Sequence, residues 1–262
     1  MIYYISLFFI EQFSFLNIFK YLTFRASGAF ITSILISFLM GPHLIKYFKM
    51  KQKLGQPIRK DGPKWQIEAK KGTPTMGGVL ILLALTVSVF LWTDIHNIFT
   101  WLILFITLIF GLIGFIDDYL KLKNYSFKGL SGKIKIIIQS IVAFIFCFLL
   151  LVFSEQSNTL LLFPIFKNLY LDLGYFWFIF TIFVIVGSSN SVNLTDGLDG
   201  LAIVPIMIVL ATFSIISYLV GNAIYSNYLN ITYISGVGEV TVFCAAFIGA
   251  GLGFLWFNAP PA

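Results

Sequence analysis

The sequence predicts an all-α protein, a polytopic bundle of helices that crosses a membrane several times. Three observations indicate this fold class. Of the 262 residues, 59% are hydrophobic and only 11% are charged, whereas roughly a quarter of the residues of a soluble domain carry a charge. The apolar residues occur in runs close to the roughly 20 residues that a helix needs to cross the hydrocarbon core. Basic residues are concentrated between certain runs.

The chain begins with an apolar segment, 1–19, in which Glu11 interrupts the pattern and no basic region comes first. This is a poor match to a signal peptide, and we interpret it as an interfacial or short leading helix. Residues 1–262 are predicted to form a single integral membrane domain. Seven apolar runs are predicted to span the bilayer: 27–47, 75–92, 98–116, 136–153, 173–188, 201–220 and 237–257.

The basic residues predict how these spans are oriented. Fourteen Lys and Arg residues lie in or beside the segments after the first and third runs, and only Lys167 lies in those after the second, fourth and sixth. Because cytoplasmic loops collect Lys and Arg, the amino terminus is predicted to lie outside. The predicted cytoplasmic loops are 48–74, 117–135, 189–200 and 258–262.

Two pairs of aspartates are predicted to lie at the cytoplasmic surface. Asp117 and Asp118 end the third span in GFIDDYLK, and Asp196 and Asp199 precede the sixth in NSVNLTDGLDGLA. The negative end of the helix dipole lies at the carboxyl terminus and disfavours further anions there. The first pair therefore predicts a compensating cation, either magnesium or a nearby lysine. One carboxylate could also act as a base. An ordinary polar helix end is the simpler alternative.

The second acidic stretch has a regular spacing. Asn190, Asn193, Asp196 and Asp199 recur every three residues and would share one face of a helix. Two glycines in the same stretch leave room for a ligand or another backbone. A helix cap explains Asp196 alone, but it does not explain the whole set. A helix amino terminus in this stretch could also bind phosphate.

Two further motifs combine cations with small or hydroxyl residues. KKGTPTMGGVL suits a diphosphate but is not a Walker loop, and SGKIKIIIQS repeats the theme with Lys133, Lys135 and Gln139. Turns with topogenic lysines are the alternative. The combined inventory suits phosphoryl transfer with a divalent ion, between a nucleotide donor and a lipid phosphate. The alternative from another class is an ion-coupled transporter, although none of the four acids is predicted at mid-membrane.

These motifs resemble those of the phospho-N-acetylmuramoyl-pentapeptide-transferase family, within the polyprenyl-phosphate hexosamine-1-phosphate transferase superfamily. The resemblance runs from about Lys46 to Ala262 and rests on five motifs that follow the family's order: GTPTMGG at 72–78, GFIDDYLK at 114–121, SGKIK at 131–135, NSVNLTDGLDGLA at 190–202 and FNAPPA at 257–262.

The resemblance implies transfer of phospho-MurNAc-pentapeptide from UDP-MurNAc-pentapeptide to undecaprenyl phosphate, with Mg²⁺ as cofactor. The products are lipid I and UMP, in the first membrane step of peptidoglycan synthesis. It also implies a bacterial inner-membrane location, a link to cell shape and cell division, a homodimer and no nucleic-acid partner. A GlcNAc-1-phosphate transferase is the alternative within the superfamily.

The resemblance also implies roles for individual residues. Asp117 would be the base that acts on the lipid phosphate, with Asp118 beside it, and Asp117, Asp118 and Asp196 would hold the metal. The phosphate ligands would be Lys70, Thr75 and Lys133, and the nucleotide and metal pocket would be lined by Asn190, Asn193, Asp196, Asp199 and Asn258.

Three features of the family pattern have no full counterpart in these 262 residues. The family has ten spans, a third essential aspartate soon after the position of Ala262 and a histidine cluster in a later loop. We therefore expect that a carboxy-terminal part is missing, and that the metal site is incomplete without it.

Overall fold

A computed structural model describes residues 1–52, 74–124, 129–153, 159–163, 166, 169–195 and 200–258. These residues form a helical bundle with one short hairpin, in which Leu161 pairs with Leu171. A 3-10 helix, Ser14–Lys20, follows the first α-helix. In chain order the elements are α1 (Ile2–Phe8), α2 (Leu22–Lys51), α3 (Gly78–Trp92), α4 (Ile98–Lys123), α5 (Gly132–Phe153), β1 (Leu160–Leu162), β2 (Tyr170–Asp172), α6 (Phe176–Thr195), α7 (Ile203–Val220), α8 (Ala223–Leu229) and α9 (Glu239–Asn258).

The predicted fold class, a membrane-spanning helical bundle, is confirmed. Among the described residues, six helices are long and apolar enough to cross a membrane, namely α2, α4, α5, α6, α7 and α9, and the apolar α3 is shorter. Several helices continue past the predicted spans. α4 runs through the two aspartates to Lys123, and α6 continues to Thr195. The backbone therefore stays helical where the side chains have already become polar.

Helix α9 lies at the centre of the bundle and packs against α2, α3 and α7. Small residues let it approach α2 closely, as is common between helices in a bilayer. A Cβ atom added to Gly249 would lie 3.1 Å from the carbonyl carbon of Phe30, and one added to Gly253 would overlap Ser37. The packed core cluster consists of Ala29, Leu85, Val89, Leu104, Val242, Phe243, Cys244 and Ala246.

A buried ion pair joins α2 to α9 where α2 and α9 begin and α3 ends. Arg25 Nη1 and Nη2 donate to Glu239 Oε2 and Oε1 at 2.8 and 2.6 Å. The Asp94 amide donates to Glu239 Oε2 at 3.0 Å. Glu239 is therefore not a solvated charge, since the residue is only 8% exposed.

Helices α4, α5 and α6 form a second group. α4 packs against α3 and α9, α5 packs against α4, and α6 packs against α5. Among the described residues, α6 packs mainly against α5. This arrangement leaves a cavity between the two groups of helices, where α3 and α5 begin and α4, α6 and α9 end.

Candidate active site

The cavity has a volume of about 500 Å³ and is lined by residues of α3, α4, α5, α6, α7 and α9. This volume lies within the range of small-molecule sites. Its polar end contains four residues predicted from the sequence motifs, Asp117, Asp118, Asn193 and Asn258. The deeper wall is apolar and includes Leu82, Phe110, Ile206 and Phe247.

Asp117 is held in a fixed orientation beside this cavity. Its Oδ1 accepts a hydrogen bond from the Leu130 amide at 2.7 Å, and its Oδ2 forms an ion pair with Lys121 Nζ at 2.6 Å. The residue is 8% exposed. An ionised carboxylate tolerates such burial only with compensating partners, and the loop amide and the ammonium supply them. Lys121 reaches Asp117 because residues four apart share one face of a helix.

Asp118 receives a different set of partners. Its Oδ1 forms an ion pair with the same Lys121 Nζ at 3.0 Å, and its Oδ2 accepts a hydrogen bond from Thr75 Oγ1 at 3.4 Å. Of the two compensating cations expected from the sequence, magnesium or a lysine, the structure shows the lysine.

Gln52, just after α2, fixes the segment that carries Thr75. Its Oε1 accepts from the Thr75 amide at 2.9 Å, and its Nε2 donates to the Thr75 carbonyl at 3.4 Å. The sequence motifs did not identify Gln52, since its partner lies 23 residues away and nothing in its neighbours marks it. Gln52 therefore orients the Thr75 hydroxyl toward Asp118.

Asn190 and Asn193 lie on α6, because this helix continues to Thr195 through part of the predicted loop 189–200. Asn190 Nδ2 donates to Gln139 Oε1 at 2.7 Å and to the Val186 carbonyl at 2.9 Å. Gln139 is only 2% exposed, and its Nε2 donates to Ser189 Oγ at 3.5 Å. From the sequence, the motif that contains Gln139 is either a topology signal or a phosphate contact. In the structure, Gln139 is the hydrogen-bond partner of Asn190.

The other predicted residues are placed as follows. Lys133, in the first turn of α5, is exposed and is not among the cavity-lining residues, whereas Lys135 lines the cavity. Residues two apart lie on nearly opposite sides of a helix, so only one of these lysines can face inward. Lys70, Asp196 and Asp199 lie outside the described residues, and their roles stay predictions.

Comparisons with known proteins identify the family. Residues 100–262 match the model of glycosyl transferase family 4, and residues 70–82 match phospho-N-acetylmuramoyl-pentapeptide-transferase signature 1. A phospho-N-acetylmuramoyl-pentapeptide-transferase from Rickettsia massiliae (strain Mtu5) is 54% identical over 246 residues, which are 94% of this chain and 68% of that protein. The chain belongs to the phospho-N-acetylmuramoyl-pentapeptide-transferase family. The resemblance predicted from the motifs is confirmed.

The phospho-N-acetylmuramoyl-pentapeptide-transferase signature covers Thr75, and the family 4 match covers Asp117 and Asp118. The matches therefore include both sides of the contact between Thr75 and Asp118. Family membership also favours a transferase over the transporter alternative.

The donor set at this site fits a magnesium ion. In the described ranges, no group of three or more His, Cys, Asp or Glu residues could hold a metal. Magnesium does not need such a cage, because it usually binds one or two carboxylates and completes its octahedron with water and substrate phosphates. Asp117 and Asp118 are two adjacent carboxylates, and the amides of Asn193 and Asn258 line the same cavity.

The loop before α5 approaches Asp117 so closely that glycine is required at position 129. A Cβ atom there would lie 2.7 Å from Asp117 Cγ and 2.9 Å from the Asp117 carbonyl oxygen. We expect Gly129→Ala to displace the carboxylate and to lower kcat about 10²-fold, the usual effect of a 1 Å misplacement in an active site. Steady-state kinetics of UMP release would measure this change.

Gly132→Ala is the matched control. It lies three residues further on, and a Cβ atom there meets no described atom within 4 Å. We expect near-normal kcat for this variant. Equal activity of the two variants would contradict the tight fit at Gly129.

Proposed function

We propose that the protein transfers phospho-MurNAc-pentapeptide from UDP-MurNAc-pentapeptide to undecaprenyl phosphate, forming lipid I and UMP in the first membrane step of peptidoglycan synthesis. The observation that carries this proposal is the acid pair, Asp117 and Asp118, at the polar end of a cavity in a membrane bundle of this family. The apolar wall of the same cavity suits a substrate with a phosphate head and a hydrocarbon tail. Roles in cell shape and cell division would follow from this reaction.

In the proposed reaction, an oxygen of the lipid phosphate attacks the sugar-linked phosphorus of the nucleotide donor. One P–O bond forms to the lipid phosphate, and the P–O bond to UMP breaks. Catalysis of this kind depends mainly on positioning and on neutralising charge. Asp117, held by the Leu130 amide and Lys121, accepts a proton from the lipid phosphate or orients it. Lys135 faces the cavity and would balance phosphate charge.

We propose Mg²⁺ as the cofactor, bound by Asp117 and Asp118, with Asp196 as the third ligand implied by the family resemblance. When bound, the ion would neutralise charge on the diphosphate. The support is the oxygen-only donor set, which matches the preference of magnesium.

The proposal includes an orientation and an assembly. The cavity end of the bundle lies near Lys49 and Lys51 at the end of α2 and near Lys121 and Lys123 at the end of α4. This clustering supports a cytoplasmic active site in the bacterial inner membrane, with the amino terminus outside. A homodimer is proposed from the family resemblance.

Chelation should abolish the activity. UMP release from UDP-MurNAc-pentapeptide and undecaprenyl phosphate should be measured in detergent, with the full-length gene product that contains this sequence. We expect release to fall to background in EDTA and to return when Mg²⁺ is added in excess, because the diphosphate charge would otherwise remain unbalanced.

Three outcomes separate the alternatives. Full activity in EDTA would contradict the metal proposal but not the transferase. Release from UDP-GlcNAc instead of UDP-MurNAc-pentapeptide would replace the donor assignment. No release from a folded protein, together with cation flux in liposomes, would favour the transporter.

A further inference from the structure

Lys121 stands between the two acids of the proposed metal site. Its Nζ lies 2.6 Å from Asp117 Oδ2 and 3.0 Å from Asp118 Oδ1. The lysine follows the two aspartates by four and three residues on α4, so one turn of helix brings all three side chains together. A single ammonium therefore bridges both carboxylates.

The other two carboxylate oxygens point to neutral partners. Asp117 Oδ1 accepts from the Leu130 amide at 2.7 Å, and Asp118 Oδ2 accepts from the Thr75 hydroxyl at 3.4 Å. A cation can bridge the acid pair and keep both of these contacts by binding Asp117 Oδ2 and Asp118 Oδ1. These are the oxygens that Lys121 contacts.

We propose that Lys121 competes with the divalent cation for these two oxygens and must release them before the metal binds. This inference rests on the proposed metal site. Two cations cannot share the pair at close range, because their repulsion is strong where water is partly excluded. The Lys121 side chain is 33% exposed and has a flexible stem, so it can leave the acids without unfolding the helix.

The competition predicts an order of binding. Lys121 weakens the affinity of the acid pair for a metal that arrives alone. A metal that arrives with a nucleotide diphosphate brings additional oxygen ligands, and the phosphates also attract the released ammonium. The metal should therefore bind tightly only together with the nucleotide donor.

Titration with Mn²⁺ tests this directly, since carboxylate and water ligands that suit Mg²⁺ also suit Mn²⁺. Free Mn²⁺ would be quantified by its paramagnetic resonance signal, with no nucleotide present and with no need for turnover. We expect Lys121→Met to bind Mn²⁺ about fivefold to tenfold more tightly than the parent protein. The substitution removes both the partly exposed ion pair that the metal must break and the ammonium charge that repels the metal. If Lys121→Met does not fold, Lys121→Gln can replace it and should show the same increase in Mn²⁺ affinity.

Two control variants isolate the competition from a general effect of charge. Lys123→Met removes a cation from the same end of α4, but Lys123 is exposed, and the ion pairs of the two acids in the described structure are with Lys121. We expect it to change the Mn²⁺ affinity by no more than about twofold. Lys121→Arg keeps the competing charge and should bind Mn²⁺ as weakly as the parent.

The outcomes distinguish this inference from the metal proposal itself. Equal Mn²⁺ affinity in the parent, Lys121→Met and Lys123→Met would contradict the competition and leave the metal site intact. Weaker binding by Lys121→Met would also contradict it. If Asp117→Asn binds Mn²⁺ as well as the parent does, the metal lies elsewhere, and the proposed metal site fails together with the competition.

Discussion

Replacing Asp117 by asparagine should lower the rate of UMP release by about 10³-fold, within the range that removing a general base or acid causes. The asparagine keeps an oxygen that can accept from the Leu130 amide, so the loop contact at 2.7 Å can persist. It removes the negative charge that Lys121 contacts at 2.6 Å, and it removes one of the proposed metal ligands. Single-turnover measurement of UMP release, with both substrates saturating, would report the chemical step.

Asp172→Asn is a matched control for this change. Asp172 is an exposed aspartate in β2, and its Oδ1 accepts from the Thr159 hydroxyl and from the Gly174 amide. An asparagine oxygen can accept the same bonds, and the residue lies in the hairpin between α5 and α6. We expect activity close to that of the parent. The role of Asp117 would be disproved if Asp117→Asn kept more than about a tenth of the activity while folding normally.

Breaking the buried ion pair between Arg25 and Glu239 should cause the largest loss of stability among the proposed substitutions. In Glu239→Gln, the Arg25 guanidinium would keep its charge at 5% exposure but would lose its anionic partner. Removing one member of a buried pair typically lowers the free energy of unfolding by about 3–5 kcal/mol. Denaturant unfolding of the purified protein in mixed micelles, followed by circular dichroism, would measure the loss.

The double variant Arg25→Met with Glu239→Leu separates an unpaired charge from lost packing. Apolar residues of similar volume often replace a buried ion pair at little cost. We therefore expect the double variant to be more stable than Glu239→Gln, although the Asp94 amide loses an acceptor at 3.0 Å. A double variant that is less stable than the single one would show that the pair itself, and not its imbalance, determines the stability.

The sequence predicted the fold class well because hydropathy depends on local composition. It predicted the polar parts of the helices less well, for a related reason. The apolar run predicts a third span that ends at residue 116, yet α4 continues to Lys123. That boundary makes Lys121 a loop cation, although its spacing from Asp117 is that of an ion pair on a helix.

Contacts between distant parts of the chain were not predictable in this way. Arg25 and Glu239 are 214 positions apart, and Gln139 and Asn190 are 51 apart. Neither pair leaves a local pattern, because each partner alone resembles an ordinary polar residue near a helix end. Helix direction did predict that Asp117 and Asp118 lie at the same surface as the second acidic stretch, whereas the places of Asn193 and Asn258 in the pocket were implied by the family resemblance. In the structure, Asp117, Asp118, Asn193 and Asn258 all line the cavity.

The contact between Gln139 and Asn190 has a consequence for how the site holds its shape. Both groups are carboxamides, so protons and salt leave the strength of their bond nearly unchanged. The acid pair and Lys121 behave differently, since each change of bound cation alters the charge that they balance. α5 and α6 are thus joined at the site by an uncharged contact, whereas the acids of α4 are held by ionic contacts whose strength depends on the charges around them.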